Sequence, residues 1–382
     1  MDPVFTAPPS RRSEGRRHAR PASVRRLAAI ALLAVAALAA GCTSTATPGF
    51  SGPPSQAGPT SAATASPTPA ATPSPSPSPS PSPAPAYPLT LTDDEGTAVT
   101  LAKAPTKIVS LTPGTTETLF AIGAGPNVVG VTDFDDYPAS VKSLPHVASY
   151  TAVDIEKIVG LGADLVLAGG NGFNPPDQVA KLRSLGVPVL VVYAKDVPGV
   201  LKDIEFVGRA AGHAAEAKDL TASMQAGFDQ VQAAMASLSK PRTFYEIDTT
   251  GAIYGPAKDS FVAGMVDLAG GTPITTGDPN KYDIPLEKLV TADPEVIVLG
   301  DAAYGATAAA VKARSGWGTM TAVKTGAIRP ANDTLITRPG PRLGEGLRDL
   351  AVAIHPELAS ALPAPSQQAG SPVPSASTSA AP

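Results

Sequence analysis

Between Lys107 and Ala194, short runs rich in Val, Ile and Leu alternate with segments whose apolar residues recur every three to four positions. The first kind predicts strands over 107–111, 128–132, 164–168 and 187–193. The second predicts helices over 115–124, 154–161 and 176–185, the latter two followed by glycine. Strands covered on both faces read as unbroken apolar runs, so this alternation argues for βα units around a parallel sheet. The rhythm returns after Pro241, with strands expected over 242–247, 295–299 and 326–330 and helices over 259–269, 285–291, 306–313 and 342–354. The pattern is that of two α/β lobes of similar size.

Between the lobes Leu220, Met224, Phe228, Val231, Met235 and Leu238 recur at steps of 4, 4, 3, 4 and 3, one face of a continuous helix over 214–239. At 1.5 Å per residue it is roughly 37 Å long, and Lys240-Pro241 ends it. A coiled-coil seam would need charged flanking positions that are missing here, so the helix is expected to pack within the chain, which reads as a monomer. An internal repeat supports two lobes. Ile155-Glu156-Lys157-Ile158-Val159 is matched 131 residues on by Leu286-Glu287-Lys288-Leu289-Val290, and in each copy an acidic residue eight positions after the Glu (Asp164, Glu295) opens a strand.

The flanks have a different pattern. Residues 27–40 form an apolar run behind an Arg-rich start, too short for a bilayer core of roughly 30 Å but suited to a signal peptide. It ends in Leu38-Ala39-Ala40-Gly41-Cys42, which resembles a bacterial lipobox; the resemblance implies cleavage before Cys42 and lipidation of its sulfur. The next 44 residues carry no charge, and 39 of them are Pro, Ser, Thr or Ala. Such a segment cannot bury enough apolar surface to fold, and as polyproline II it reaches at most about 130 Å. The expected organisation is a signal peptide (1–42), a tether (43–86), an N-terminal lobe (87–213), a connecting helix (214–240), a C-terminal lobe (241–361) and a disordered tail (362–382).

Charge and composition narrow the function. Residues 87–361 hold 22 basic and 31 acidic residues with no basic stripe, which excludes nucleic-acid binding. A single cysteine, Cys42, leaves the lobes without a disulfide framework, zinc-thiolate site or cysteine nucleophile. There is no nucleophile elbow, phosphate loop or zinc-protease motif. Gly123-Ala124-Gly125 follows a helix and reads as its cap. Asp133, Asp135 and Asp136 read as a solvated loop, and His146, His213 and His355 are too scattered for a metal site. A metal-chelating enzyme would need a proton-transfer pair that the sequence does not assemble. A surface adhesive module would account for the tether but not for the repeat.

Tyr137, Tyr150, Tyr254, Tyr282 and Tyr304 are expected in loops just beyond strands or before helices, facing the gap between the lobes. Tyr193 and Tyr245 are expected within strands, as core or lobe-surface residues. In open α/β sheets the ligand crevice lies at the carboxyl ends of strands. Aromatic rings there suit a large, flat, amphipathic ligand.

In this order, Lys107-Ile108-Val109-Ser110-Leu111-Thr112-Pro113, Gly130-Val131-Thr132 leading to Asp136-Tyr137-Pro138, Asp154-Ile155-Glu156-Lys157-Ile158, Asp164-Leu165-Val166-Leu167-Ala168, Asp293-Pro294-Glu295-Val296-Ile297 and Arg338-Pro339-Gly340-Pro341-Arg342 resemble the substrate-binding lipoproteins of bacterial ABC importers for iron-siderophore, haem and vitamin B12. The resemblance spans residues 104–361. It implies two Rossmann-like lobes joined by one long α-helix, the helical-backbone solute-binding fold, and a receptor instead of an enzyme. The Asp136-Tyr137-Pro138 segment is most similar to the vitamin B12 binders, where the tyrosine packs on the corrin. By position the resemblance implies ligand contacts from Tyr137, Tyr150, Gly169, Gly170, Asn171, Tyr254, Tyr282 and Arg338. It implies no resident cofactor: the solute is a cobalamin-type corrinoid, with a ferric siderophore or haem as alternatives. It also implies an ABC permease that docks on Glu156 and Glu287, and a membrane reached through lipid on Cys42. Trp317, the one tryptophan, is expected in a surface-like turn.

Overall fold

The computed structural model describes residues 86–149, 152–170 and 173–362, all within one compact unit. The chain first forms a hairpin, β1 (Leu89–Thr92) and β2 (Ala98–Leu101). Asp93, at its turn, holds it in place. One carboxylate oxygen accepts from the Glu95 and Thr97 amides at 3.1 and 2.8 Å; the other accepts from Arg183 at 2.6 Å and the Val191 amide at 3.1 Å. A charge is tolerated in the interior when it is paired and hydrogen-bonded in this way, and the contacts pin the hairpin to the first lobe. The sequence pattern assigned no element here.

The first lobe continues with β3 (Ile108–Ser110), α1 (Pro113–Ala121), β4 (Val128–Thr132), β5 (His146–Ala148), α2 (Ile155–Leu161), β6 (Leu165–Gly169), α3 (Pro176–Ser184), β7 (Val189–Val192) and α4 (Val197–Ala211). Its strands make a parallel sheet in the order β5-β4-β3-β6-β7. Counted from its first strand the order is 3-2-1-4-5, a Rossmann half that switches direction at β3. After α5 (Ala214–Met235) come β8 (Arg242–Glu246), α6 (Phe261–Leu268), β9 (Thr272–Pro273), α7 (Leu286–Ala292), β10 (Val296–Leu299), α8 (Ala308–Lys312), α9 (Thr321–Thr325), β11 (Ile328–Pro330), α10 (Asp333–Thr337) and α11 (Leu343–Ile354). The second sheet, also parallel, runs β11-β10-β8-β9.

The internal repeat is a structural device. Helices α2 and α7 both end in a left-handed residue, Gly162 and Asp293, and both lead into a strand. The acidic residue before that strand then clamps the start of the neighbouring one. Asp164 accepts from the Lys107 amide at 2.8 Å at the head of β3, and Glu295 accepts from the Arg242 amide at 2.9 Å at the head of β8. Each carboxylate fixes the register of a parallel pair that no hairpin could set.

Helix α5 buries Ala217, Thr221, Met224, Phe228, Val231 and Met235, and packs on α4 of the first lobe and α11 of the second. The same core therefore runs through both lobes. The helix stops at Met235 rather than at Ser239. The chain there tightens into a turn in which the Leu238 amide bonds the Met235 carbonyl at 2.9 Å, and Leu238 still packs against the core. Two further expectations are corrected. Trp317 is buried in the second lobe's outer core, with the Arg314 guanidinium 4.6 Å from its ring centre. Asp135, expected in a solvated loop, is buried with its carboxylate on the amide and hydroxyl of Thr132 at 2.7 and 2.6 Å.

Candidate ligand-binding site

The carboxyl ends of β3, β4, β5, β6 and β7 open into one cavity of about 700 Å³, closed on its far side by Phe261 and Val262 of α6 and by Thr337, Arg338 and Pro339. It lies where a doubly wound sheet leaves a crevice. Three aromatic side chains rim it from the ends of three strands: Phe134 after β4, Phe173 after β6 and Tyr193 after β7, each more than a third exposed. Tyr193, expected within a strand, lies one residue past β7 because its amide bonds the Asp94 carboxylate at 2.6 Å. The paired glycines at the end of β6 give the rings room. A Cβ on Gly169 would stand 3.0 Å from Phe173 and 2.6 Å from Thr112, and one on Gly170 would stand 2.9 Å from the Tyr193 Cβ.

Beside the cavity the lobes are clasped. Glu117 of α1 is almost fully buried and receives Arg338 at 2.8 Å together with Arg342 through two bonds of 2.6 and 2.9 Å. Arg338 also bonds Asp136 at 2.6 Å. Burial works upward on the Asp136 carboxyl, but the hydrogen bond and charge of Arg338 outweigh it and hold the group below the usual carboxylate range. Arg342 stacks 4.1 Å above the Tyr137 ring. The backbones meet here as well, since a Cβ on Gly114 would collide with the Pro339 carbonyl.

Of the residues singled out in the sequence, Gly169, Gly170 and Arg338 line the cavity. Tyr137 sits at the clasp instead. Tyr254 and Tyr282 belong to a segment of the second lobe that bonds to itself: the Tyr254 amide to the Asp248 carbonyl at 2.8 Å and the Gly255 amide to the Tyr282 carbonyl at 2.8 Å. Neither lines the cavity, and Tyr304 is 89 % exposed. Tyr150, Asn171 and Cys42 lie outside the described residues, as do residues 1–85 and 363–382. Phe134, Phe173, Tyr193 and Asp203 were missed. Their only signal was a place one to four residues beyond an apolar run, or, for Asp203, a carboxylate on the apolar face of an unassigned helix. Glu156 and Glu287 are exposed in the first turns of α2 and α7.

Residues 108–333 match the model of the periplasmic binding protein family. The chain belongs to that family. Among curated relatives of this periplasmic binding protein, an uncharacterised ABC transporter substrate-binding lipoprotein, YvrC of Bacillus subtilis, is 35% identical over 71% of this chain and 87% of its own. A cobalamin-binding protein of Halobacterium salinarum is 31% identical over 71% of this chain and 75% of its own. Among solved structures, the vitamin B12 binding protein BtuF of Vibrio cholerae superposes with a TM-score of 0.59 at 25% identity, covering 66% of this chain and all but 2% of that one (98%). Haem-binding and iron-binding proteins share the fold. Like these relatives, the chain is a solute-binding protein and not an enzyme. No described helix is long and apolar enough to cross a membrane.

Proposed function

We propose that this protein captures a cobalamin-type corrinoid outside the cytoplasm and hands it to an ABC permease. The observation that carries the reading is the cavity itself, large and rimmed by three aromatic faces at the ends of β4, β6 and β7. A flat macrocycle can stack on such faces, and a pocket of several hundred Å³ suits a ligand of that size. Gly169, Gly170 and Arg338 form its wall, and Tyr137 stands under Arg342 at the clasp beside it. In the same proposal lipid on Cys42 tethers the receptor through residues 43–86, and Glu156 and Glu287 meet the permease.

One feature favours a second reading. Tyr193 and Arg338 both belong to the cavity wall; a ferric siderophore or haem would take an oxygen ligand from the first and offer a carboxylate or catecholate to the second. The test is the visible spectrum of the purified protein after incubation with cyanocobalamin, haemin or a ferric siderophore and gel filtration. Retention of cyanocobalamin alone is expected. Retention of haemin or siderophore, lost in Tyr193→Phe, would establish the second reading, and retention of none would reject both.

A further inference from the structure

Helix α4 turns one face to the cavity through Val200, Asp203, Ile204 and Val207, spaced as neighbours along a helix. Three of the four are apolar and buried; the other is a carboxyl. No hydrogen bond or ion pair reaches Asp203 from the described residues. The charges that bear on it share its sign: Asp94, engaged with the Tyr193 amide, and Asp196, which caps α4 through the Gly199 amide. No cation acts on Asp203, neither Lys202 and Arg209 of α4 itself, nor Arg338 in the cavity wall, nor any on the elements packed on α4. On α1, Glu117 is tied to Arg338 and Arg342; on α5, Thr221 bonds Glu205, and Glu216, Lys218 and Asp219 do not act on Asp203. On α6, Asp267 is paired with Lys240, and the helix gives the cavity only Phe261 and Val262.

A carboxyl so placed is easiest to keep as the neutral acid. Burial first, then repulsion by Asp94 and Asp196, push it up to about 7. A solute that covers it removes its remaining water and favours the neutral acid further, unless it brings a cation or several converging N–H donors.

We propose that Asp203 determines the specificity of this cavity, holding as a neutral acid an uncharged hydrogen-bonding group of the carboxamide class on the edge of the solute. The acid hydroxyl donates to the amide oxygen, and the acid carbonyl accepts from the amide N–H. This rests on the reading of the cavity as the solute site, and it deepens that reading, because a corrinoid carries carboxamides around its rim while a haem carries carboxylates. Covering the acid with a neutral group raises its proton affinity further. Binding therefore takes up a proton wherever the free carboxyl is ionised, and affinity falls as pH rises above 7.

The probe is cyanocobalamin, with haemin as the contrast, titrated calorimetrically into the full-length protein at about pH 6 and about pH 8.5 in buffers of different ionisation enthalpy. Cyanocobalamin is expected to bind roughly thirtyfold tighter at the lower pH and to take up about one proton at the higher. Asp203→Asn keeps a donor and an acceptor, so it should bind equally at both pH values with no proton uptake. Cyanocobalamin bound without proton uptake, with affinity rising with pH, or with uptake unchanged in Asp203→Asn, would overturn this inference and leave the corrinoid reading standing. Haemin bound in place of cyanocobalamin, or neither bound, would overturn both. The wild-type proton count decides the matter even if the variant fails to fold.

Discussion

At the scale of single residues, Glu117 is the group that ties the lobes together. It is a buried anion whose compensation comes wholly from across the lobe junction, from Arg338 and Arg342. Removing Glu117 leaves Arg342 without its anion and Arg338 with Asp136 alone, and breaking a buried ionic group in this way costs about 3–5 kcal/mol. Glu117→Gln is therefore expected to lower the stability by that amount, read as a fall in Tm of about 2–4 °C per kcal/mol. A double-mutant cycle with Arg342→Met should recover part of the loss, since the lone guanidinium is then gone as well. A loss below about 1 kcal/mol, the value of an exposed pair, would mean that the lobes stand apart in solution. None of this was legible in the sequence. Glu117 reads as an ordinary helix residue and the arginines lie more than two hundred positions away, so no local pattern connects them. The same holds for Trp317: the Ser-Gly-Trp-Gly stretch reads as a turn, and it is one, but the turn folds the indole inward under Arg314.

At the scale of elements the sequence was far more transparent. Apolar periodicity marked β3, β4, β6, β7, β8 and β10 to within a residue or two, because strands buried on both faces leave little choice of side chain. It passed over α4, whose apolar face is interrupted by Pro198, Gly199, Asp203 and Gly208. It also passed over the β1–β2 hairpin, whose strands are held by Asp93 more than by their own burial. Helix α5 was the clearest element and carries the clearest prediction. Phe228 is 3 % exposed within the core shared by the lobes. Truncating a buried aromatic costs about 3–5 kcal/mol through lost transfer energy and the cavity left behind. Phe228→Ala should reduce stability by that much and do so in one cooperative transition, because α5 contacts both α4 and α11. Two separated transitions in a calorimetric scan of the variant would show that the lobes fold independently and that α5 is merely a link.

At the scale of the whole molecule, the repeat gives each lobe one exposed carboxylate in an equivalent place. Glu156 stands in the first turn of α2 and Glu287 in the first turn of α7, and the apolar contacts of those helices come from Ile158 and Leu289. Among the described residues neither side chain is held by an ion pair or hydrogen bond, whereas Asp164 and Glu295, the other acidic pair of the repeat, are engaged in clamping strands. A carboxylate near a helix N-terminus contributes about 0.3–1 kcal/mol through the macrodipole, so capping accounts for a little stability and for nothing more. A two-fold permease asks for something else, matched charges on two matched surfaces, so that each half meets an equivalent contact and the complex is steered into register. If docking is their role, Glu156→Lys combined with Glu287→Lys should leave cyanocobalamin affinity unchanged and lower Tm by no more than about 8 °C, the shift expected for about 1 kcal/mol at each of two helix N-termini. Uptake of labelled cyanocobalamin in cells carrying the cognate permease should nevertheless fall to near background, and each single reversal should give an intermediate loss, since one lobe still presents its carboxylate. Full uptake by the double variant would reduce both residues to helix caps and would place the permease contact elsewhere on the lobes.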